Sequence, residues 1–528
     1  MDKNTILIGG AAAAAIGFFL YKLRTSKPLP PAYDGSESYL GAIDVGTGST
    51  RFLIFNSKGV QIASHSIDLT QYFPSHEEHE QNPLEYVEAS LKCIETACQK
   101  AGIPKTLFKG IGISNQRETI IAWNKETGKP FHNAIIWDDA RTAEICHELQ
   151  NLKIDFRSKT GLPISTYFSA SKILWLIRNN SAVRKSLSEN TCLFGTVETW
   201  MIYNLTKGKR YVSDISNASR TLLMNLRGFW DEEILAALDI PITALPEIVS
   251  SAEVYGYMKS GYLEGIPICG SLGDQQSALL GHQCVEAGSA KNTYGTGAFL
   301  LMSTGNDIIQ SSTGLLTTVY GKFGPDGPIY YALEGSVENA GSAIKWALNK
   351  LRLFSTFAEL EAQARTVADS DGVVCVSALS GLFAPHWRPD ARGVIIGLTQ
   401  HTTRAHILRA LLEGICFRTK EVIDALLSDT PYKLNKLCVD GGMTKNVLFL
   451  EIQANILGVQ LELPFEKDLT ALGAAFAAGL GCGVYRSLDD IQKLNKNIEK
   501  IVDFTWDEQK RNEKISLWNK TIPKAFND

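Results

Sequence analysis

Asp44 ends an apolar run, "YLGAID", and a turn of small residues follows at once: Val45, Gly46, Thr47, Gly48, Ser49, Thr50. Such a turn offers backbone N–H groups and hydroxyls, the donors that cradle phosphate oxygens. A carboxylate at the strand end can hold a hard cation such as Mg²⁺ through water. Neither common nucleotide fingerprint is present. There is no G-x-x-x-x-G-K-[ST], and the turn lacks the G-x-G-x-x-G and helix of a dinucleotide fold. Taken alone, the stretch also reads as an ordinary turn.

Other stretches carry chemistry-bearing residues. In "SNQRET", Arg117 and Glu118 are adjacent, one able to donate to a hydroxyl and the other to accept from it. Their bland reading is a surface ion pair. In "GSLGDQQSALLG", Asp274 and Gln275 follow Gly273 and precede an apolar run. Asp274 is a candidate general base, or simply a helix N-cap. In "LCVDGGMTKN", a strand ends at Asp440, Gly441 and Gly442 turn, and a helix apolar at Val447, Leu448, Leu450, Ile452, Ile456 and Leu457 begins. Glycines there let a flat nucleobase approach the backbone. The stretch His76–Glu80, "HEEHE", has its histidines three apart rather than four, so it is not the zinc motif H-E-x-x-H and reads as a solvated loop.

The elements that must position these residues are legible. Three strands, "YLGAID", "RFLIFN" and "VQIASHSI", lead into a helix capped by Asn82, with Pro83 in its first turn and Gly102 at its end. Leu84, Val87, Leu91, Ile94 and Cys98 mark its expected apolar face. Strands "GIGIS" and "TIIAWN" follow. The order β-β-β-α-β is mixed α/β. The first turn also has an echo: Gly295-Thr296-Gly297, again between apolar strands, lies 249 residues on (295 minus 46). A repeat of turn and strands at half-length spacing predicts two similar domains, 38–283 and 284–528, facing across a cleft where ligands commonly sit.

Bulk properties bound the class. The 528 residues exceed what one core supports. Hydrophobic residues make up 45% and charged residues 20%, an ordinary globular balance. A net charge of -4 gives no sign of a nucleic-acid partner. The 10 cysteines contain no C-x-x-C and fit reduced thiols better than a disulfide framework. At the N-terminus, Ile6–Tyr21 is uncharged and, as a helix, reaches roughly 24 Å against a ~30 Å hydrocarbon core. Lys22, Arg24 and Lys27 follow it. A signal peptide has a similar apolar core, but the basic n-region is missing. The expectation is a transmembrane anchor with flanks over 1–27, a Pro-rich spacer over 28–37, and catalytic domains in the cytosol. A short anchor of this kind suits the mitochondrial outer membrane. Oligomeric state stays open, a homo-oligomer included.

The stretches "DVGTGSTRFLIFN", "GISNQRET", "NAIIWDDART", "STYFSASK", "FGTVETW", "LGDQQSALLG", "KNTYGTGAFLL", "YYALEGSV", "GLFAPHWRPDARGVIIGLTQ" and "VDGGMTKN" together resemble the glycerol kinases of the FGGY carbohydrate kinase family, collinearly from about residue 39 to 485. The resemblance implies two actin/hexokinase-like (ribonuclease H-like) α/β domains with mixed sheets around a central cleft. It implies that MgATP phosphorylates glycerol to sn-glycerol 3-phosphate. Arg117, Glu118, Tyr167, Asp274 and Gln275 would bind glycerol hydroxyls, Trp137 and Phe299 would wall its carbons, and Asp274 would take the proton. Asp44 would sit near Mg²⁺. Thr47, Gly48, Ser49 and Arg51 would serve the phosphates, Thr296, Gly341 and Lys345 the nucleotide from the second domain, and Gly442 and Asn446 the adenosine. The chain departs from the family pattern at Gly48, which removes a hydroxyl but keeps its N–H. The stretch "YLEGIPICG" lacks the Arg that bacterial members use for inhibition by fructose bisphosphate. Rival readings are another polyol or sugar kinase of the family, a membrane-tethered non-catalytic nucleotide-binding scaffold, and an actin-like filament or chaperone ATPase.

Overall fold

The computed structural model describes residues 38–388 and 390–526. The chain's first sheet uses β1 (Tyr39–Val45), β2 (Ser49–Asn56) and β3 (Gln61–Asp68), then helix α1 (Pro83–Ala101) and β4 (Phe108–Asn115). It is completed by β5 (Gly256–Tyr257) and β6 (Pro267–Gly273), in the order β5-β6-β4-β1-β2-β3. The pairs β1–β2 and β2–β3 are antiparallel hairpins. The pairs β1–β4 and β4–β6 are parallel. Helix α2 (Asp274–Gly281) leaves β6 directly.

The second sheet repeats this plan. Its strands are β7 (Ala290–Tyr294), β8 (Ala298–Gly305), β9 (Leu316–Lys322) and β10 (Ile329–Val337), followed by helices α3 (Gly341–Asn349) and α4 (Arg404–Asp429). Then come β11 (Lys436–Asp440), α5 (Val447–Leu457), β12 (Gln460–Pro464), α6 (Leu469–Gly481) and β13 (Ile498–Val502). The order is β9-β10-β8-β7-β11-β12-β13. The hairpin β7–β8 stands where β1–β2 stands in the first sheet, and β11 lies parallel to β7 as β4 lies parallel to β1. The 249-residue echo in the sequence is therefore a repeated hairpin at the middle of each sheet.

Residues Ser38–Asp528 form one compact unit. Between the sheets, Leu40, Ala42, Leu272, Leu279, Ala474 and Phe476 share one core. Helices α2 and α6 cross so closely there that a Cβ on Gly473 would fall 1.8 Å from the Ser277 carbonyl oxygen. Glycine supplies that approach because any side chain would push the helices apart. A Cβ on Gly112, in β4, would likewise lie 2.0 Å from the Ala474 carbonyl oxygen.

Helix α1 has the expected caps. The Asn82 side chain accepts from the Leu84 N–H, and Gly102 takes the left-handed conformation at φ 64°. Its buried face differs from the expected stripe: Tyr86, Cys93, Ile94, Ala97 and Cys98 are buried, Val87 and Leu91 lie at the margin, and Leu84 is 43% exposed. The helix packs with its face turned because β2 and β3 both press on it from one side. The "HEEHE" loop also differs. His76 is exposed, but His79 is buried, with its ring between Asp138 (Nδ1–Oδ1 2.6 Å) and Gln71 (Nε2–Oε1 2.8 Å).

The expected membrane anchor is corrected. Among the described residues, no helix is long and apolar enough to cross a membrane, and Ile6–Tyr21 and the spacer 28–37 lie outside the described residues. The physical weakness of the reading is composition: half of the 16 residues of Ile6–Tyr21 are Ala or Gly, which carry little apolar area, and the run is too short for the hydrocarbon core. The transmembrane, mitochondrial and membrane-partner expectations are withdrawn with it.

Candidate functional site

The expected site residues cluster where parallel strands end. Asp44 is the penultimate residue of β1, Gln116 and Arg117 follow β4, Asp274 follows β6, and Asp440 ends β11. Carboxyl ends of parallel strands are where open α/β sheets present groups to ligands.

At the bottom lies a buried ionic network. Arg117 is 3% exposed and forks onto Glu334, with Nη1–Oε2 at 2.6 Å and Nη2–Oε1 at 2.8 Å. Its Nε lies 3.2 Å from Asp274 Oδ1 and its Nη2 3.4 Å from the Tyr167 hydroxyl. Arg220 donates to Glu118 (Nε–Oε1 2.6 Å) and reaches Glu334 at 3.3 Å. The Arg117–Glu118 dipeptide is thus not a surface pair. Glu118 adopts φ 61°, a left-handed conformation that costs of order 1–3 kcal/mol for such a residue and is typical of sites that aim a side chain. Burial raises the Glu118 carboxyl above its ordinary pKa despite both arginines. A hydroxyl donating to it would relieve part of that desolvation.

Asp274 is the first residue of α2 and does not serve as its cap; Gly273 holds that position. Its Oδ1 accepts from the Gln275 N–H (2.7 Å) and faces Arg117, while among the described residues Oδ2 has no hydrogen-bond donor. Trp137, Tyr167 and Phe299 form an edge-on aromatic wall beside it, with ring centroids 5.6 Å apart for Trp137–Tyr167 and 6.4 Å for Trp137–Phe299. Phe299 comes from β8, so this wall joins the two halves of the chain.

The first glycine turn closes with Gly46 N–H donating to the Ser49 carbonyl. The Thr47 hydroxyl accepts from Trp137 Nε1 at 3.0 Å, tying the turn to the aromatic wall, and Gln71 and Gln81 donate to the Thr47 carbonyl. Gly48 is exposed, and a Cβ there would meet nothing within 4 Å. Arg51 pairs with Asp44 and, at 2.6 Å, with Asp468. Burial raises the Asp44 carboxyl despite Arg51, and the charges of Asp274 and Asp468 push it further up. Asp44 and Asp468 share the single Arg51, which leaves excess negative charge here, the setting that suits a divalent cation.

In the second turn, the Gly295 N–H donates to Gly297, and the Gly341 and Ser342 N–H groups donate to the Gly295 and Thr296 carbonyls. A Cβ on Gly341 would lie 2.5 Å from the Gly295 oxygen, so the start of α3 rests directly on this turn. Gly441 has φ 94° and backs onto Tyr294, while Gly442 faces open space. Asn446 caps α5, its Oδ1 accepting from Phe449 N–H at 3.0 Å. Lys345 is exposed on α3 and, among the described residues, bonds to no other member of the site.

Sequence reading missed three charged groups: Arg220, Glu334 and Lys291, each 0% exposed. Lys291, in β7, donates to Gln275 Oε1 at 2.5 Å and to Thr293 Oγ1 at 3.0 Å. Burial lowers its pKa to about 8. Close by, His282 Nε2 sits 2.6 Å from Asp440 Oδ2. The available signal was a charge inside an apolar strand, as in "YYALEGSV", where a lone carboxylate is tolerated only when paired. The arrangement offers a proton acceptor, a hydroxyl-binding ion pair, an apolar wall and two glycine turns fit for phosphates.

Residues 39–281 match the N-terminal domain, and residues 290–482 the C-terminal domain, of the FGGY family of carbohydrate kinases. The chain is 43% identical to a probable glycerol kinase of Dictyostelium discoideum, over 92% of this chain and 98% of that protein. It is 43% identical to glycerol kinase 2 of Streptomyces avermitilis, over 93% and 98%. The solved structure of Plasmodium falciparum glycerol kinase with ADP superposes with a TM-score of 0.88 at 38% identity, covering 93% of this chain and 99% of that one. On matched family domains, near-complete relatives and a shared two-sheet actin/hexokinase-like α/β architecture, the chain belongs to the FGGY family of carbohydrate kinases.

Proposed function

We propose that this chain is an ATP-dependent glycerol kinase, with domains 38–283 and 284–528 closing over glycerol and the nucleotide. The γ-phosphoryl of ATP passes in line to a terminal hydroxyl, giving sn-glycerol 3-phosphate. The observation that carries this reading is the buried Arg117–Glu118 pair beside Asp274, under Trp137, Tyr167 and Phe299. It suits a short triol: Arg117 donates to one hydroxyl, Glu118 accepts from it or its neighbour, and the aromatic edges cover the carbons. Asp274 Oδ2 takes the proton of the attacking hydroxyl while Oδ1 stays fixed by Arg117 and the Gln275 N–H. Such transfers need positioning and charge neutralisation more than covalent help.

Around the nucleotide, N–H groups of Thr47, Gly48 and Ser49 and the side chain of Arg51 would meet the phosphates from one side. Thr296 and Gly341 would meet them from the other. Gly442 and the Asn446 amide nitrogen would lie against the adenosine, with Lys345 at its rim. Asp44 would hold Mg²⁺ through water, and the ion would supply charge neutralisation for the phosphates. Water exclusion falls to the aromatic wall and domain closure.

ATP consumption across a panel of glycerol, erythritol, xylulose and gluconate tests the reading. Turnover with glycerol at least as fast as with any other supports it, while a clear preference for a longer sugar would transfer the assignment to another FGGY kinase. Two variants probe individual contacts. Gly48→Ser has room for its side chain and restores a hydroxyl at the phosphate turn. The KM for ATP is expected to fall by roughly three- to tenfold, about the worth of one hydrogen bond; an unchanged KM removes Gly48 from the phosphate site. Lys291→Met frees the Gln275 amide. A drop in kcat/KM for glycerol of roughly tenfold or more is expected, seen mainly in KM; a variant with wild-type KM would place Lys291 outside substrate positioning.

A further inference from the structure

We infer that Asp371, His401 and His406 form a divalent-metal site that prefers ions such as Zn²⁺ over Mg²⁺. One carboxylate oxygen and two imidazole nitrogens, one from each residue, all lie within 4.8 Å of one another. Tetrahedral zinc needs such atoms roughly 3.4 Å apart. The exposed side chains of Asp371 and His401 cover that difference by rotamer adjustment, while buried His406 stays in place.

The site is assembled by the backbone before an ion arrives. Asp371 lies in the turn that precedes strand Val374–Val376, and His401 in the loop that follows strand Val394–Ile396. These strands pair, with Val374 opposite Ile396. A Cβ on Gly397 would lie 2.2 Å from the Gly372 carbonyl oxygen, so the two loops are pressed together. His406 is in the first turn of α4, 6% exposed. Its Nδ1 accepts from the Thr403 N–H at 3.1 Å and lies 2.9 Å from Thr403 Oγ1; among the described residues Nε2 has no hydrogen-bond partner. While Nδ1 accepts from the Thr403 N–H, the neutral ring carries its proton on Nε2; a metal binding at Nε2 displaces that proton, and with the ring proton on Nδ1 the Thr403 hydroxyl oxygen, 2.9 Å away, accepts it. This is the outer-shell contact that orients metal-binding histidines. The His401 ring sits beside that of His406, with centroids 5.4 Å apart. Among the described residues, neither the His401 ring nitrogens nor the Asp371 carboxylate has a hydrogen-bond or ion-pair partner.

The donor set decides the ion. Two imidazoles and one carboxylate suit Zn²⁺, Co²⁺ or Ni²⁺, whereas Mg²⁺ keeps to oxygen ligands and water. With three protein ligands and two of them at the surface, water fills the remaining position. The ion would join the turn at 369–372 to the loop at 397–403 and the start of α4. This is a different ion, on different ligands, from the Mg²⁺ that travels with ATP.

The test uses the full chain, stripped with chelator and kept free of nucleotide, in excess Mg²⁺. Zn²⁺ is titrated calorimetrically, and Co²⁺ is followed by its visible absorption. One equivalent of each should bind, with Co²⁺ giving the intense bands of four-coordination. His401→Ala and Asp371→Asn should each weaken Zn²⁺ binding by at least roughly tenfold, and the double variant should abolish the Co²⁺ bands. Both positions are exposed, so the variants keep their fold, and glycerol phosphorylation in Mg²⁺ serves as the check. Undiminished Zn²⁺ binding in the double variant would assign the ion to other ligands, the buried thiols among them, and overturn the site. So would a wild-type chain that takes up no Zn²⁺ at micromolar concentrations.

Discussion

Asp274→Asn is expected to lose glycerol-dependent ATP turnover by roughly 10²–10⁴-fold, the usual worth of a positioned general base. Asn keeps the shape of the side chain and an oxygen for the Arg117 Nε and the Gln275 N–H, now at 3.2 and 2.7 Å from Oδ1. What it loses is the capacity of the second oxygen to take a proton. The loss should therefore fall on kcat, with KM for both substrates little changed, the pattern of an interaction made only in the transition state. Single-turnover rates in saturating glycerol and ATP measure it directly. A variant within tenfold of wild type would show that Asp274 does not accept the proton.

Glu334→Gln should produce the largest loss of stability. Arg117, Arg220, Glu118 and Glu334 form a balanced set, each at most 3% exposed. Removing one negative charge leaves two buried arginines facing one carboxylate, a change that costs about 3–5 kcal/mol. The shift of Glu334 supports this size. Burial alone would raise its carboxyl, but Arg117 and Arg220 outweigh burial and hold it at about 2, below the ordinary glutamate range. A depressed carboxylate contributes stability that is present in full above its unfolded pKa and is lost as pH falls toward the folded value. Wild type should accordingly lose of order 3 kcal/mol between about pH 4.5 and 2 from this group. The Gln variant should show that deficit already at pH 7, and a shallower acid dependence below 4.5. Its KM for glycerol should also rise, because Arg117 loses the fork that orients it. Denaturant midpoints at pH 7 and pH 3 for both proteins decide the matter; equal midpoints at pH 7 would mean that the network contributes no net stability.

The hairpin-turn repeat was legible because its signal is local. Val45–Thr50 and Tyr294–Ala298 are small-residue turns between apolar strands, and no distant contact is needed to form them. The caps of α1 at Asn82 and Gly102 were legible for the same reason. Asp44, Asp274 and Asp440 could be located from sequence because a carboxylate at a strand end stands out against an apolar run. The rotated face of α1 could not, since β2 and β3 select which stripe is buried. The anchor expectation fails on composition: Ile6–Tyr21 lacks charge, but its Ala and Gly carry little apolar area.

By itself the sequence determined the α/β order, the doubled hairpin, the glycine turns and the carboxylates that close the strands. Each depends on residues within a few positions of one another. Only the tertiary structure decided which charges share a cavity: Glu334 lies 217 residues from Arg117 and Arg220 lies 102 from Glu118, yet each pair meets within 3 Å. Burial in a common core turns two ordinary Arg–Glu pairings into one network, and distance along the chain carries no trace of that.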